Sequence, residues 1–274
     1  MIFKKFLLTL DKQIKKRAIK IEKRLRLAIS VVLLTFLMLF STFFYFDKAL
    51  FFIFAFLLIT YFLTYFSLIE KIEKISWLTL FLMPVLLTIS FYLFYFLFPS
   101  RWLTRLPFLF AYGISIYAIL LCSNIFNVGV EKSLQLYRAA FSINFFYQTL
   151  VSFLIFNIIF SLKEIFYINL ILVGGVVYLL SFQLFWTIKL DKKPEREVFD
   201  FAFLTALILA EVSVLISFIP LPSTSVSLFL TGTFYSIAGI FYNYLDKKLF
   251  KETIREYVFV WIFIFLITLL SISW

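Results

Sequence analysis

Runs of about twenty apolar residues follow one another along nearly the whole chain, separated by short charged or turn-forming segments. A helix of about twenty residues rises roughly 30 Å, which matches the hydrocarbon core of a bilayer. The 274 residues are 64% hydrophobic and have a mean hydropathy of +1.04. Soluble domains are only about 45–50% apolar. The sequence therefore predicts an all-α integral membrane protein, a polytopic transmembrane helical bundle of about nine spans.

The spans are placed by the apolar runs and by the charged segments between them. We predict one helical membrane domain over residues 27–274, with no domain break or internal repeat. The last span is the shortest, and it could instead lie in the membrane interface. The nine predicted spans are residues 27–46, 49–69, 75–98, 106–127, 139–162, 166–190, 199–220, 226–245 and 257–274.

Residues 1–26 carry ten Lys and Arg against two acids, with apolar residues recurring at steps of three and four. This pattern predicts a basic amphipathic helix on the anionic cytoplasmic leaflet. The alternative is a solvated positive anchor that only sets orientation. Of the 26 Lys and Arg residues, 22 fall in segments that share a side with the N-terminus and 4 fall opposite. The positive-inside rule then predicts a cytoplasmic N-terminus and an external C-terminus, in a bacterial cytoplasmic (inner) membrane.

The residues that are missing exclude several classes of chemistry. The chain has no His and only one Cys, Cys122, which excludes disulfide frameworks, Cys/His zinc sites and His-dependent nucleophile pairs. No Gly-rich phosphate loop is present, and no acid cluster is spaced to hold a metal ion. We expect no cofactor and no metal. Because the basic residues fall in short segments between apolar runs, we also expect no nucleic-acid partner.

Glu211 is the only acidic or basic side chain deep inside an apolar run. A charged side chain at such a position costs about 2.5–3.5 kcal/mol on insertion scales. It must therefore face protein or a wet cavity, or hold a proton. A functional interpretation makes it a proton or cation relay, or a group that holds a lipid or solute. A structural interpretation makes it an acid that bonds a neighbouring helix.

The candidate neighbour lies in the fifth span, where three polar residues share a stripe: Asn144, Gln148 and Ser152. Together with Glu211 they form the predicted intramembrane polar site. Taken alone, the stripe is typical of interhelical hydrogen bonding, worth about 0.6 kcal/mol per contact.

Small residues also recur at helical spacing in the seventh and eighth spans. Such stripes permit close helix packing, and a short turn joins these two spans. We therefore predict that the two spans pack directly against each other. The stripes are Ala202, Ala206, Ala210, Ser213 and Ser217 in the seventh span, and Gly232, Ser236, Gly239 and Asn243 in the eighth.

Arg101 and Arg105 flank Trp102 in a short loop predicted between the third and fourth spans. They are candidates for binding an anionic lipid headgroup at the outer surface. The alternative is an interfacial anchor, a role in which Trp and Arg are common.

The end of the chain carries a resemblance. The segment Leu249-Phe250-Lys251-Glu252-Thr253-Ile254-Arg255-Glu256-Tyr257, followed by a short span that ends at Trp274, resembles the tail of an uncharacterised family of polytopic bacterial membrane proteins. A family without an assigned activity implies no site residues.

These observations favour a non-enzymatic membrane component that acts through partner subunits or bound lipid. The alternative is a secondary transporter or lipid-translocating protein that uses Glu211. A third hypothesis, an enzyme acting on a lipid-linked substrate, has less support because His and metal-ligand clusters are missing. A transporter needs a polar cavity that reaches Glu211, whereas a structural component would seal the acid among helices.

Overall fold

The computed structural model describes residues 21–44, 48–69, 77–98, 101–128, 134–191 and 193–272. Nine α-helices and no strand are found in these ranges, and all nine helices are long and apolar enough to cross a membrane. They are α1 (Lys23–Ser41), α2 (Ala49–Leu68), α3 (Trp77–Tyr95), α4 (Trp102–Val128), α5 (Leu134–Ser161), α6 (Phe166–Trp186), α7 (Arg196–Ser217), α8 (Ser223–Leu245) and α9 (Lys251–Leu270). The predicted all-helical class is confirmed. Residues 1–20 of the predicted basic helix lie outside the described ranges.

The chain divides into two compact units. The first holds α1, α2, α3 as far as Tyr92, α4, and α5 as far as Ala140. In it, α1 packs along both α2 and α4. The second unit holds residues 93–98, α5 from Phe141 onward, and α6 to α9. Its closest pair is α6 and α7, followed by α8 and α9.

Aromatic rings and a polar pair fill the core of the first unit. The ring of Tyr92 lies 5.8 Å from that of Phe52 and 5.1 Å from that of Phe56. Tyr112 of α4 is fully buried, and its hydroxyl hydrogen-bonds that of Thr88 on α3 at 3.1 Å. A buried tyrosine hydroxyl usually needs such a partner. These contacts fix α2, α3 and α4 around one interior.

Helix boundaries depart from the apolar runs where side chains bond the backbone. The first span was predicted to reach residue 46, but α1 ends at Ser41. The hydroxyls of Ser41 and Thr42 donate to the carbonyls of Met38 and Leu39, both at 2.7 Å. Such local bonds compete with the helical ladder.

The sixth span was predicted to reach residue 190, but α6 ends at Trp186. The indole of Trp186 donates to the carbonyl of Asp191 at 2.9 Å, and Leu190 adopts a left-handed backbone conformation with φ of 54°. The chain therefore turns before the apolar run is finished.

The last helix begins earlier than predicted. We placed its start at Tyr257, but α9 begins at Lys251 and is 20 residues long. The connecting residues Lys251–Glu256 are helical and continuous with it. Charged residues such as Lys, Glu and Arg are good helix formers, which an apolar run does not reveal.

The small-residue stripes of α7 and α8 do not face each other. The α7 stripe packs on α6, where a Cβ built at Gly174 would lie 3.4 Å from that of Ala210. The α8 stripe packs on α9, where the hydroxyl of Ser236 donates to the carbonyl of Tyr257 at 3.1 Å. The two helices do contact each other, but through rings such as Phe201 and Phe241 at 5.2 Å. The predicted contact between helices is confirmed, and the predicted surfaces are wrong.

Candidate functional site

Glu211 lies on α7, six residues before the helix ends at Ser217. The buried face of α7 consists of small and apolar residues that pack within the second unit, among them Ala202, Ala206 and Ala210. Glu211 is on the opposite side, and its side chain is exposed. Within the described part of the chain, its carboxylate has no hydrogen bond and no ion pair.

Asn144 and Gln148 of α5 are buried and bond an amide of α6 instead. The amide nitrogen of Asn144 donates to Oε1 of Gln183 at 3.1 Å, and that of Gln148 donates to the same oxygen. Gln148 also donates to the carbonyl of Leu180 at 3.3 Å. All three side chains are almost completely shielded. Amides buried between helices bond across the interface, so this cluster fixes α5 against α6.

The predicted four-residue polar site is not assembled. Glu211 does not bond the α5 stripe, because its side chain points away from the interior of the second unit. The hydroxyl of Ser152 donates to the carbonyl of Thr149 in its own helix, at 2.7 Å. Gln183 takes the place that we assigned to Glu211. Its signal in the sequence was an amide within an apolar run, the same signal that selected Gln148.

Further buried polar side chains, which the sequence analysis did not select, lie in the first unit. Arg26 is fully buried although it is only the fourth residue of α1. One turn after Arg26, the hydroxyl of Ser30 donates to the carbonyl of Leu63 at 3.2 Å. On α4, the amide of Asn127 donates to the carbonyl of Leu68 at 2.9 Å. The signal was the four-residue spacing that places Arg26 on the same face of α1 as Ser30.

Arg101 and Arg105 lie where α4 begins. We predicted both in a loop, but α4 starts at Trp102, so Arg105 is helical and only Arg101 precedes the helix. The guanidinium of Arg105 lies 4.9 Å from the ring centre of Phe43 and 5.4 Å from that of Trp102. Stacking of this kind is a cation–π contact. It holds Arg105 against aromatic rings, while Arg101 is exposed.

A cavity of about 230 Å³ lies where α6 ends, α7 begins and α8 ends. Its lining includes the apolar Trp186 and Leu245 and the charged Lys189, Glu195 and Lys247. Lys189 donates to Glu195 at 2.6 Å, which raises the pKa of Lys189 above its usual value. The loops before α7 and after α8 therefore lie at the same end of the second unit.

An apolar groove of about 300 Å³ lies beside the exposed face of α7. Leu215 of α7, Ile219 just after that helix, Phe229 of α8, and Trp261 and Phe265 of α9 are among the residues that line it. Among its lining residues, Thr268 is the one with a side-chain hydroxyl. That hydroxyl donates to the carbonyl of Ile264 at 2.9 Å. The groove therefore offers almost no polar contact.

Potential metal ligands do not converge in the described ranges: no group of three or more His, Cys, Asp or Glu is close enough to hold an ion. Cys122 is buried and reduced within α4.

The fold and these polar groups define a helical protein whose described helices have the length and composition of membrane spans. Residues 69–271 match the family model described as "Protein of unknown function (DUF5656)", and the chain belongs to this family. The match covers far more of the chain than the C-terminal resemblance did. No curated protein and no solved structure matches the chain.

Proposed function

We propose that this chain is a multi-pass protein of the bacterial cytoplasmic membrane that acts without catalysis, by contacting partner subunits in the membrane plane. The observation that carries the proposal is the exposed side chain of Glu211 on a helix of transmembrane length. An unpaired carboxylate facing hydrocarbon is costly, and acids within spans almost always face protein or a water-filled cavity. A partner on this face of α7 would supply the protein surroundings.

The second supporting observation is α9, which is the least buried of the nine described helices of transmembrane length. Its contacts run along α8, while large apolar side chains such as Phe259, Phe263 and Leu266 are exposed. Lipid alone can cover such residues. Together with Glu211, however, they make the α7–α9 side of the second unit the surface on which a partner is best placed.

Lipid contacts belong to the same proposal. The basic segment of residues 1–26, apart from the buried Arg26, would bind the anionic cytoplasmic leaflet. Arg101 and Arg105 would lie at the outer interface, where Arg105 stacks on Phe43 and Trp102. Stacked Arg and Trp side chains are suited to anchoring a helix at that depth.

The transporter alternative rests on the same residue but has less support. Transport through Glu211 requires a polar path to its carboxylate, and substrate sites in transporters lie near the bilayer midplane between helices. Glu211 is directed outward from its unit, and the groove beside it is apolar. The polar residues Asn144, Gln148 and Gln183 bond one another across α5 and α6 rather than approaching Glu211.

Native mass spectrometry of the protein extracted in mild detergent tests the proposal. Glu211→Gln removes the charge, and Asp200→Asn is the control near the other end of α7, where Asp200 is also exposed but lies 3.7 Å from Arg196. We expect a stoichiometric polypeptide with the wild type and with Asp200→Asn, and much less of it with Glu211→Gln. The proposal would be contradicted, and transport supported, if no variant carried a bound polypeptide and Glu211→Gln lost a lipid or solute that the wild type binds.

A further inference from the structure

The exposed side of α7 is a continuous stripe that we call the α7 outer face. Its residues recur at steps of three and four, so they follow one side of the helix. Four of them are large and apolar and are 41–70% exposed, and the fifth is the acid. The α7 outer face consists of Leu204, Leu207, Glu211 and Leu215 on the helix, and of Phe218, which directly follows Ser217 and caps the helix.

The groove begins beside the acid, at Val212, and continues past Leu215 to the end of α7. Leu215, four residues after Glu211, belongs both to the α7 outer face and to the groove wall. Four residues advance a helix by about 6 Å. Opposite Leu215, the wall is made by Trp261 and Phe265 of α9, whose rings stack at 5.5 Å with an interplanar angle of 8°. A recess for a bulky apolar side chain therefore lies about one turn from a carboxylate.

The charge of Glu211 restricts the kind of molecule that can cover the α7 outer face. Glu211 is about 9 Å along the axis from the carboxyl end of α7 at Ser217, and the residues between them are uncharged. Residues 218–225 are uncharged as well. A lipid keeps its charged groups at the interface, so its headgroup does not reach this depth. A protein helix can carry a cation there.

In a second copy of this chain, helices α6 to α9 have no Lys or Arg at the depth of Glu211. Helices α6 and α8 contain no Lys or Arg. The basic residue of α7 is Arg196, at its amino end, and those of α9 are Lys251 and Arg255, in its first two turns. Self-association through these helices would therefore bring acid to acid.

We propose, building on the proposed function, that the α7 outer face binds a transmembrane helix of a different protein that has a Lys or Arg facing Glu211. The same helix has a bulky apolar residue three or four positions away on the same face, and that residue enters the groove at Leu215. The ion pair sets the depth and register of the partner, because an unpaired charge in hydrocarbon is costly in any other register. The groove supplies close packing, the other main force between helices in lipid.

Model peptides in lipid vesicles test this partner chemistry without knowledge of the natural partner. The protein, reconstituted with a donor fluorophore at Lys193→Cys in a Cys122→Ala background, is mixed with acceptor-labelled Leu-rich transmembrane peptides. One peptide has Lys at the depth of Glu211, one has Leu there, and one has Lys with Ala in place of Leu at the positions three and four residues away. Energy transfer reports association.

We expect the Lys peptide to associate about tenfold more tightly than the Leu peptide, since interhelical polar contacts have that size in model peptides. Glu211→Gln should remove this difference, and Asp200→Asn should leave it intact. The Lys peptide with Ala neighbours should bind more weakly than the Lys peptide with Leu neighbours. Equal association of the Lys and Leu peptides with the wild type, or a preference that persists in Glu211→Gln, would overturn the inference.

The natural partner separates this inference from the proposed function. Sequencing of a polypeptide that is lost in Glu211→Gln should reveal a basic residue within a transmembrane segment. A partner without one would refute the basic-helix inference and leave the partner-subunit function standing. Failure to find any stoichiometric polypeptide would remove the function itself.

Discussion

Pro84 lies inside α3 and has no backbone N–H, so the carbonyl of Leu80 loses its usual helical donor. Ser123 of α4 is buried and donates to that carbonyl at 3.5 Å. Neighbouring helices and Ser/Thr side chains commonly satisfy the backbone groups that a proline frees within a membrane. The loss of the helical donor at Pro84 follows from the chemistry of proline, and the structure adds the residue that compensates for it.

Ser123→Ala should therefore lower the free energy of unfolding by about 0.6 kcal/mol, the average for interhelical hydrogen bonds in membranes. The loss should depend on Pro84, because in Pro84→Ala the restored N–H bonds Leu80 within α3. Unfolding in mixed micelles of the wild type, both single variants and the double variant gives the coupling energy. Equal cost of Ser123→Ala with and without Pro84 would show that the hydroxyl has no role at this carbonyl.

Residue-level chemistry could be predicted from the sequence more readily than residue-level geometry. An acid or an amide inside an apolar run is visible in the sequence, and this singled out Glu211, Asn144 and Gln148. Which way each side chain points depends on how many helices surround it. Gln183 of α6 faces α5, whereas Glu211 of α7 lies on a side that no described helix of its unit covers. The cost of a buried charge suggested an interior position, and the arrangement of helices decided otherwise.

At the scale of helices, α9 docks on α8 through glycines that leave no room for a side chain. A Cβ at Gly239 would lie 2.3 Å from a ring carbon of Tyr257, and one at Gly232 would lie 2.4 Å from Cδ1 of Ile264. Around this contact, the indole of Trp261 donates to the hydroxyl of Thr233 at 3.1 Å. Small residues at one face let two backbones approach closely, and polar side chains then bond across the gap.

Gly239→Ala should weaken the docking of α9 by about 1–3 kcal/mol, the usual cost of overpacking, because the Tyr257 ring is rigid. Gly232→Ala should cost less, since the end of the Ile264 side chain can rotate away. Gly175→Ala is the matched control, because a Cβ at Gly175 meets nothing within 4 Å. The free energy of unfolding in mixed micelles measures all three. Gly175→Ala should leave stability unchanged or raise it, because Ala is the better helix former. A loss for Gly175→Ala as large as that for Gly239→Ala would show that the effect is not specific to the α8–α9 contact.

Helix existence followed from the apolar runs, and helix pairing did not. The stripes in α7 and α8 correctly indicated close packing, but a stripe of small residues does not identify the helix that packs on it. Gly174 of α6 takes the α7 stripe, and Tyr257 of α9 takes the α8 stripe. A short turn between α7 and α8 suggested the simplest pairing. Within the second unit, however, α7 packs most closely on α6, and α8 packs most closely on α9.

For the whole molecule, each unit has buried polar side chains in its interior. The first contains a buried cation, Arg26, together with buried hydroxyls such as Thr60 and Thr64 on α2. The second is fixed by amides and small residues between α5, α6 and α7. Its exposed carboxylate therefore lies away from its own polar interior, as expected of a residue that serves an external contact.

The predicted orientation is open to a direct test that uses the single native cysteine. In a Cys122→Ala background, Lys163→Cys and Lys193→Cys place one thiol on each side of α6, and both positions are exposed. Because 22 of the 26 basic residues share the predicted cytoplasmic side, a membrane-impermeant maleimide added to intact spheroplasts should label position 163 and not position 193. Permeabilisation should make position 193 reactive.

Lys247→Cys extends this test to the second unit as a whole. Lys189 and Lys247 line one cavity, so the loops on which they lie share an end of the unit. Position 247 should therefore behave like position 193, with α7 and α8 forming one outward and one inward crossing between them. Labelling of positions 193 and 247 from opposite sides would contradict that pair of crossings. Labelling of position 193 and not 163 in intact spheroplasts would show that the chain has the opposite orientation. The basic segment of residues 1–26 would then face outward, where the anionic lipid that it is suited to bind is scarcer.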